Sequence, residues 1–187
     1  LIQATRFGID ILFPQEVASV EVEGTYKTLH LKDGTEVKTK TVVITTGVDY
    51  RELPAEGIDQ FTGAGVYYGA AITEAAAVRG QPVYIVGGGN SAGQGAVYLS
   101  QFASEVHILI RQPNLTNSMS SYLIDQIDAI DNIHVHGYRQ VVKACGADHL
   151  EGLVLEDLED HSQHERPAAA LFIFIGARPV TDWLASS

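Results

Sequence analysis

The residues best placed to do chemistry lie in PVYIVGGGNSAGQGA, residues 82–96. Gly87, Gly89 and Ala92 satisfy the spacing G-x-G-x-x-[GA], directly after an apolar strand pattern and at the start of a helical one. Gly87 allows a tight strand-to-helix turn, and Gly89 lets backbone approach a pyrophosphate with no Cβ in the way. Ala92 is small enough for the helix to pack closely on the strand. Gly88 completes the loop, and the unpaired N–H groups near Asn90 and Ser91, at the positive end of the helix, suit a phosphate. The chemistry predicted is therefore dinucleotide binding. The competing reading is a glycine-rich turn in an α/β core.

The end of the following strand bears on which dinucleotide is held. An NAD-preferring unit places Asp or Glu there to accept from the ribose 2′-OH, whereas a cation suits a 2′-phosphate. Here the position carries Arg111 in IRQPNL, and no acid follows until Asp125. NADP(H) is favoured, against an arginine that merely solvates a strand end.

Other reactive side chains carry weaker signals. His134 and His136 alternate on a predicted strand and share a face, and His161 and His164 lie in an acidic loop. No cysteine or well-spaced carboxylate accompanies either pair, so a solvated surface is expected and no metal site is assigned. The single cysteine, Cys145, excludes an internal disulfide or a C-x-x-C pair within this chain and is read as a small buried apolar residue. Tyr67 and Tyr68 either border a cofactor ring or simply pack, with packing favoured. Ser91 fits no nucleophile-elbow pattern, and no catalytic residue is assigned.

The elements that must position these groups follow from periodicity. IDILFP, EVASVEVEG, YKTLHLKDG and TEVKTKTVVITTG read as strands, with Asp33-Gly34 as a hairpin turn. A turn-rich connection with Pro54, Gly57, Gly63 and Gly65 follows. From Gln81 the pattern becomes strand–helix–strand, with helices predicted near residues 91–103 and 118–130. In the second helix Leu123, Ile124, Ile127 and Ile130 form a buried stripe. Short strands NIHVHG, QVVKAC, LEGLVLED and AAALFIFIG close the pattern, and DLEDHSQHER reads as an exposed hairpin loop. Boundaries are expected near residues 65 and 165.

Composition narrows the partners. With 187 residues, 45% of them hydrophobic and 19% charged, the chain can bury a core. A net charge of −11 argues against nucleic acid, so a polyanionic ligand must be held locally by N–H groups and a few cations. No apolar run reaches the roughly 20 residues that span a bilayer. A cytoplasmic location is the simplest expectation. Leu1 and the helix-like LIQATRF suggest a piece of a longer protein.

Together these residues resemble the thioredoxin reductase family of flavoprotein pyridine-nucleotide oxidoreductases. The resemblance rests on three ordered landmarks: TVVITTGVDYRELPAEGIDQFTGAGVYY, VGGGNSA and LFIFIGARPVTDWL. It implies a Rossmann-like FAD/NAD(P)-binding fold, α/β with three ββα layers. A partial flavin-domain segment would cover residues 1–64, an NADP(H)-binding domain 65–166, and a return strand 167–187. By the same resemblance, Gly87, Gly88, Gly89, Asn90, Ser91 and Ala92 would hold the NADPH pyrophosphate. Thr46 and Gly47 would lie beside FAD, with Gly176 and Ala177 near the cofactor at the junction. Arg111 matches the first arginine of the family's phosphate clamp, whose other arginines are Gln112 and Thr116 here.

The largest departure falls where the family carries its redox-active C-A-T-C-D. VYYGAAITEA places Gly69 and Ile72 at the cysteine positions and Thr73 at the acid, so no thiolate is available there for disulfide exchange. The pattern resembles a cysteine-free branch in which the reductase unit can be joined to a regulatory domain. The expected activity is hydride transfer from NADPH to FAD in the intact protein, with an unidentified electron acceptor outside this chain. The chain itself is expected not to hold FAD tightly, and a homodimer is left open. Two alternatives stand beside this reading: a ferredoxin- or flavodoxin-NADP reductase, and a non-catalytic NADP(H)-binding redox sensor.

Overall fold

A computed structural model describes residues 2–69 and 75–184. The chain divides into two units, one of Leu1–Asp49 with Arg178–Ser187 and one of Tyr50–Ala177. In chain order the elements are α1 (Ile2–Arg6), β1 (Val17–Glu23), β2 (Tyr26–Leu31), β3 (Glu36–Thr39), β4 (Val48–Tyr50), β5 (Val66–Tyr68), β6 (Pro82–Val86) and α2 (Asn90–Leu99). Then follow β7 (Glu105–Leu109), α3 (Ser121–Asp128), β8 (Ile133–His136), β9 (Arg139–Gly146), β10 (Leu150–Asp157), β11 (Gln163–Pro167), β12 (Ala170–Ile173) and β13 (Ala177–Pro179).

The larger unit is built on a parallel sheet in the order β5-β12-β6-β7-β8. Its strands alternate with period two, and each face has its own core. Val83, Ile85, Val106, Ile108, Ala170 and Phe172 pack with Ala92, Ala96 and Leu99 of α2 and Leu123 and Ile127 of α3. Tyr84, Leu109, Leu171 and Ile173 point the other way and pack with Val141, Ala144, Leu150 and Leu153 of an antiparallel β11-β10-β9 meander. Helices on one face and a second sheet on the other make the three ββα layers expected from the sequence. The α3 stripe is as predicted, Leu123 and Ile127 buried with Ile124 and Ile130 packed at its edge. Both helices are shorter than their periodicity suggested, because α2 stops at Leu99 and α3 starts at Ser121.

Tyr67 stacks on Phe172 with ring centroids 5.4 Å apart, and the Tyr68 hydroxyl accepts from the Leu53 N–H at 3.1 Å. Both tyrosines pack, as favoured. The segment DLEDHSQHER is not all loop. Its QHER half pairs as β11 with Leu153–Glu156 of β10, which leaves a short turn whose His161 meets Glu156 at 2.9 Å.

The smaller unit is a β1-β2-β3 antiparallel sheet, its second hairpin closed by Gly34 at φ +88° as Asp33-Gly34 predicted. Two expected strands are absent: residues 9–14 and 41–47 have no ladder partner among the described residues. Their apolar side chains are exposed, Phe13 at 82% and Val43 at 80%. Alternation creates a strand only where a neighbouring strand accepts its hydrogen bonds.

Two side-chain expectations need correction. Cys145 is half-buried, because the β9 alternation sends Ala144 into the core and Cys145 to the other face. His134 and His136 share a face but are not simply solvated. Register places His107 of β7 beside His134, and His107 Nδ1 and His136 Nε2 lie 3.0 Å apart. Burial is the main reason the His136 pKa falls to about 4, with His107, His134, Arg139 and Arg166 adding to the effect. Burial likewise lowers His107, which Glu105 partly offsets. No group of three or more His, Cys, Asp or Glu among the described residues has the geometry to hold a metal ion.

Candidate dinucleotide site

The β6–α2 turn places the three consecutive glycines in three different environments. Gly87 sits at φ +142°, and a Cβ there would come 2.5 Å from the Phe174 carbonyl oxygen, so backbone conformation and packing both demand glycine. A Cβ on Gly88 would press on Ser118 Oγ at 3.0 Å, the hydroxyl that donates to the Gly88 carbonyl at 2.7 Å. Gly89 differs. Its φ of −90° is open to any residue, and an added Cβ would meet only the Ser118 carbonyl oxygen at 3.9 Å. Nothing in the protein's own packing requires glycine there, which leaves the space above Gly89 free for another group.

Gly89 is also the N-cap of α2 and supplies no side-chain cap, and no acidic residue lies in the first turn. The first ladder bond runs from the Gly93 N–H to the Gly89 carbonyl at 3.2 Å. The N–H groups of Asn90 and Ser91 thus precede the helix's hydrogen-bonded ladder, and α2 presents a positive end without a protein anion to meet it. Ala92 is fully buried and brings the helix onto the sheet. The Asn90 side chain is engaged elsewhere: its Nδ2 donates to Ser120 Oγ at 3.0 Å and its Oδ1 accepts from the Ser120 N–H at 2.8 Å. It pins residues 115–120 against the glycine loop, so only its backbone remains for an anion.

Two clefts meet at this turn. One, of about 920 Å³, is lined by Tyr50, Gly69, Ser91, Gln94, Tyr98, Gly176 and Ala177. The other, of about 590 Å³, is lined by Gly87, Gly88, Arg111, Gln112, Arg139 and Gln140. Gly89, Ser118 and Phe174 line both. A ligand with two ends joined by a phosphate bridge suits such a pair of clefts. Arg111 is exposed and makes no ion pair among the described residues. Thr46 and Gly47 belong to the smaller unit, where the Thr46 hydroxyl donates to the Val180 carbonyl at 2.6 Å and Gly47 turns at φ +83°. Gly176 adopts φ +101° and its carbonyl accepts from the Arg51 N–H at 3.1 Å.

Gly69 adopts φ +76°, and a Cβ there would lie 2.6 Å from the Tyr50 hydroxyl oxygen. A side chain at this position would displace the tyrosine. Ile72 and Thr73, the other positions of the altered redox segment, lie outside the described residues. The sequence did not single out Tyr50, Phe174, Ser118 or Arg139. The place of Arg139 beside Arg111 depends on a turn that periodicity does not encode.

A Rossmann-like parallel sheet with helices on one face, a meander on the other and an uncapped glycine turn at the strand ends defines a nucleotide-binding α/β unit. The chain matches the pyridine nucleotide-disulphide oxidoreductase family over residues 1–187 and belongs to it. Thioredoxin reductases, whose type it resembles, use FAD and NADPH. It is 33% identical over 180 residues to a thioredoxin reductase of Streptomyces clavuligerus, covering 96% of this chain and 55% of that protein. It is 36% identical over 158 residues to that of Mycoplasma genitalium, covering 82% and 49%. The crystal structure of Streptococcus pyogenes thioredoxin reductase superposes with a TM-score of 0.74 at 30% identity, covering 96% of this chain and 57% of that one. The chain spans about half the length of the curated relatives it matches.

Proposed function

We propose that the protein is an NADPH-dependent flavoprotein oxidoreductase of thioredoxin reductase type whose electrons leave to an acceptor other than a cysteine pair of this chain. Gly89 carries the reading: a glycine that neither backbone conformation nor packing requires, at an uncapped helix start where two clefts meet. The backbone of Gly88, Gly89, Asn90 and Ser91 holds the pyrophosphate, while Gly87 and Ala92 shape the turn behind it. Arg111 holds the 2′-phosphate in the smaller cleft, and the nicotinamide end enters the larger one toward Tyr50, Gly176 and Ala177. The NADP(H)-binding part is the unit of residues 50–177, wider than the 65–166 expected from the resemblance because β12 lies inside its parallel sheet, and residues 1–49 and 178–187 belong to the flavin side, with Thr46 and Gly47 beside FAD.

With the cofactors held by these residues, the chemistry they would supply is hydride transfer from nicotinamide to flavin. What this chain contributes is position: neutralised phosphates at the α2 end and an apolar wall of Tyr98 and Phe174 that excludes water. The chain contains one cysteine, and Gly69 stands where its relatives' type carries the first of a pair, its Cβ space filled by Tyr50. Disulfide exchange needs a thiolate nucleophile, which this segment lacks.

Calorimetric titration of the chain with NADPH and NADH tests the cofactor assignment. NADPH should bind more tightly, and Arg111→Ala should erase that preference, a loss of about 1.5–3 kcal/mol for a hydrogen bond to a charged group. Equal binding of the two nucleotides by the unmodified chain would reject the assignment.

A further inference from the structure

We infer that Arg139 is a second determinant of 2′-phosphate specificity, restoring the cation that the nucleotide site lacks at Gln112 and Thr116. The inference rests on the NADP(H) reading above. Arg139 lines the smaller cleft together with Gly88, Gly89 and Arg111. Its backbone is tied to the strand end that carries Arg111: the Arg139 N–H donates to the Ile110 carbonyl at 2.9 Å, and the Tyr138 N–H to the Gln112 carbonyl at 3.2 Å. Tyr138, between them, is held at φ +53°, a left-handed conformation uncommon for a tyrosine. The surroundings therefore over-determine this turn, a pattern that marks sites where one side chain must be aimed.

The charge of the cleft points to an anion. Its ionisable lining is Arg51, Arg111 and Arg139 against Glu52, and even with Asp157 counted behind Arg139 one cation is in excess, in a chain whose net charge is −11. A local surplus of cations on an acidic protein focuses potential on the cleft. The Arg139 guanidinium is oriented: Nη2 meets Asp157 Oδ2 at 2.7 Å, and Nη1 donates to the carbonyls of Gly137 at 3.3 Å and Tyr138 at 3.1 Å. Its five N–H donors exceed these three contacts. A guanidinium fixed along one edge loses little freedom when an anion meets the donors that remain, and its planar fork matches a phosphate. Asp157 is mostly buried, so this anchor stays in place while the arginine remains one-third exposed.

The full chain, with Arg139→Gln, Arg139→Lys and Arg111→Gln, is titrated with 5′-AMP and adenosine 2′,5′-bisphosphate. The unmodified chain should prefer the bisphosphate, and Arg139→Gln should shrink that preference about tenfold while AMP affinity moves by less than about twofold. Arg139→Lys should keep an intermediate preference, retaining charge but not the fork. If Arg139→Gln keeps the full preference while Arg111→Gln loses it, the NADP(H) site stands and Arg139 has no part in it. If Arg139→Gln weakens both ligands equally, the residue is structural and the inference is overturned. If the unmodified chain does not distinguish the ligands, the NADP(H) reading itself fails and takes this inference with it. Should Arg139→Gln not fold, Asp157→Asn is read instead. Asparagine keeps an acceptor that can anchor the guanidinium and removes only the opposing charge, so the preference should rise at least about threefold, and an unchanged preference overturns the inference.

Discussion

The two units bury their apolar side chains to opposite extents. In Tyr50–Ala177 the inner strands β12 and β6 of the parallel sheet bury both faces, and side chains such as Val83, Ile85, Phe172 and Leu171 have no exposure at all. In Leu1–Asp49 with Arg178–Ser187, only Val20 and Leu31 are buried among the described residues, while Phe7, Leu12, Phe13, Val22 and Val43 are mostly exposed. The difference is one of layers. A sheet covered by helices on one side and a meander on the other buries its inner strands on both faces, whereas a lone three-stranded sheet has one face and little to set against it. Stability within this chain should accordingly come from the larger unit.

Truncating a ring in each unit gives the largest test. Phe172→Ala removes a fully buried side chain that stacks on Tyr67 and should cost about 3–5 kcal/mol by urea unfolding. Phe13→Ala removes a ring that is 82% exposed and should change stability by less than about 0.5 kcal/mol. Similar costs for the two would mean that the smaller unit has a core of its own and would break the contrast.

Within the larger unit, the glycine turn separates what the fold needs from what a ligand needs. Gly87→Ala forces a methyl against the Phe174 carbonyl at a left-handed φ and should destabilise by about 1–3 kcal/mol. Gly89→Ala meets nothing closer than 3.9 Å and should leave the unfolding midpoint in place, yet weaken NADPH at least about tenfold by blocking the pyrophosphate's approach. A Gly89→Ala protein that binds NADPH normally would remove the main support for the nucleotide site.

Gly87, Gly89, Ala92, Leu123 and Ile127 were legible in the sequence because each answers a local rule: a turn, a close approach or a helical stripe. Residues 9–14 and 41–47 misled because alternation records which side chains are apolar, not whether a neighbouring strand exists to pair with them. The histidine cluster and Arg139 were hidden for a related reason. His107 is separated from His134 by an intervening helix, and only the parallel register of β7 and β8 sets them side by side. Arg139 reaches the Arg111 strand end through a reversal at Gly137-Tyr138 that no run of residues announces. Tyr50 meets Gly69 through tertiary folding alone. Spacing along the chain marks the glycine turn of the proposed nucleotide site, but not the side chains that neighbouring elements bring beside that turn.

Acid should act on the larger unit through its histidines. His136 is neutral in the folded state down to about pH 4, whereas in the unfolded chain it titrates near the ordinary histidine value of 6.5. The unfolded state therefore binds the extra proton between these values. Stability is full above about pH 6.5 and falls as pH drops toward 4. Solvent screening of the half-exposed ring reduces the loss to about 1–2 kcal/mol. Urea midpoints across that range should slope downward with acid, and His136→Asn should flatten part of the slope. An unchanged slope in the variant would assign the acid sensitivity to other groups.

The smallest effect separates a residue that shapes the site from one that holds the fold. Asn90 makes both of its side-chain hydrogen bonds to Ser120, at an exposed position and across residues 115–120. Exposed bonds of this kind contribute about 0.5–1.5 kcal/mol, and Asn90→Ala removes them without opening a cavity. Urea unfolding should show a loss no larger than this, while the Ser120 amide should lose hydrogen-exchange protection as that segment is released from α2. Because Ser118 lines both clefts and caps Gly88, the same release should weaken NADPH binding by about threefold, a cost of roughly 0.6 kcal/mol. Protection of Ser120 that survives the substitution would show that Leu115 and Met119, both buried in the helix-side core, hold the segment by themselves.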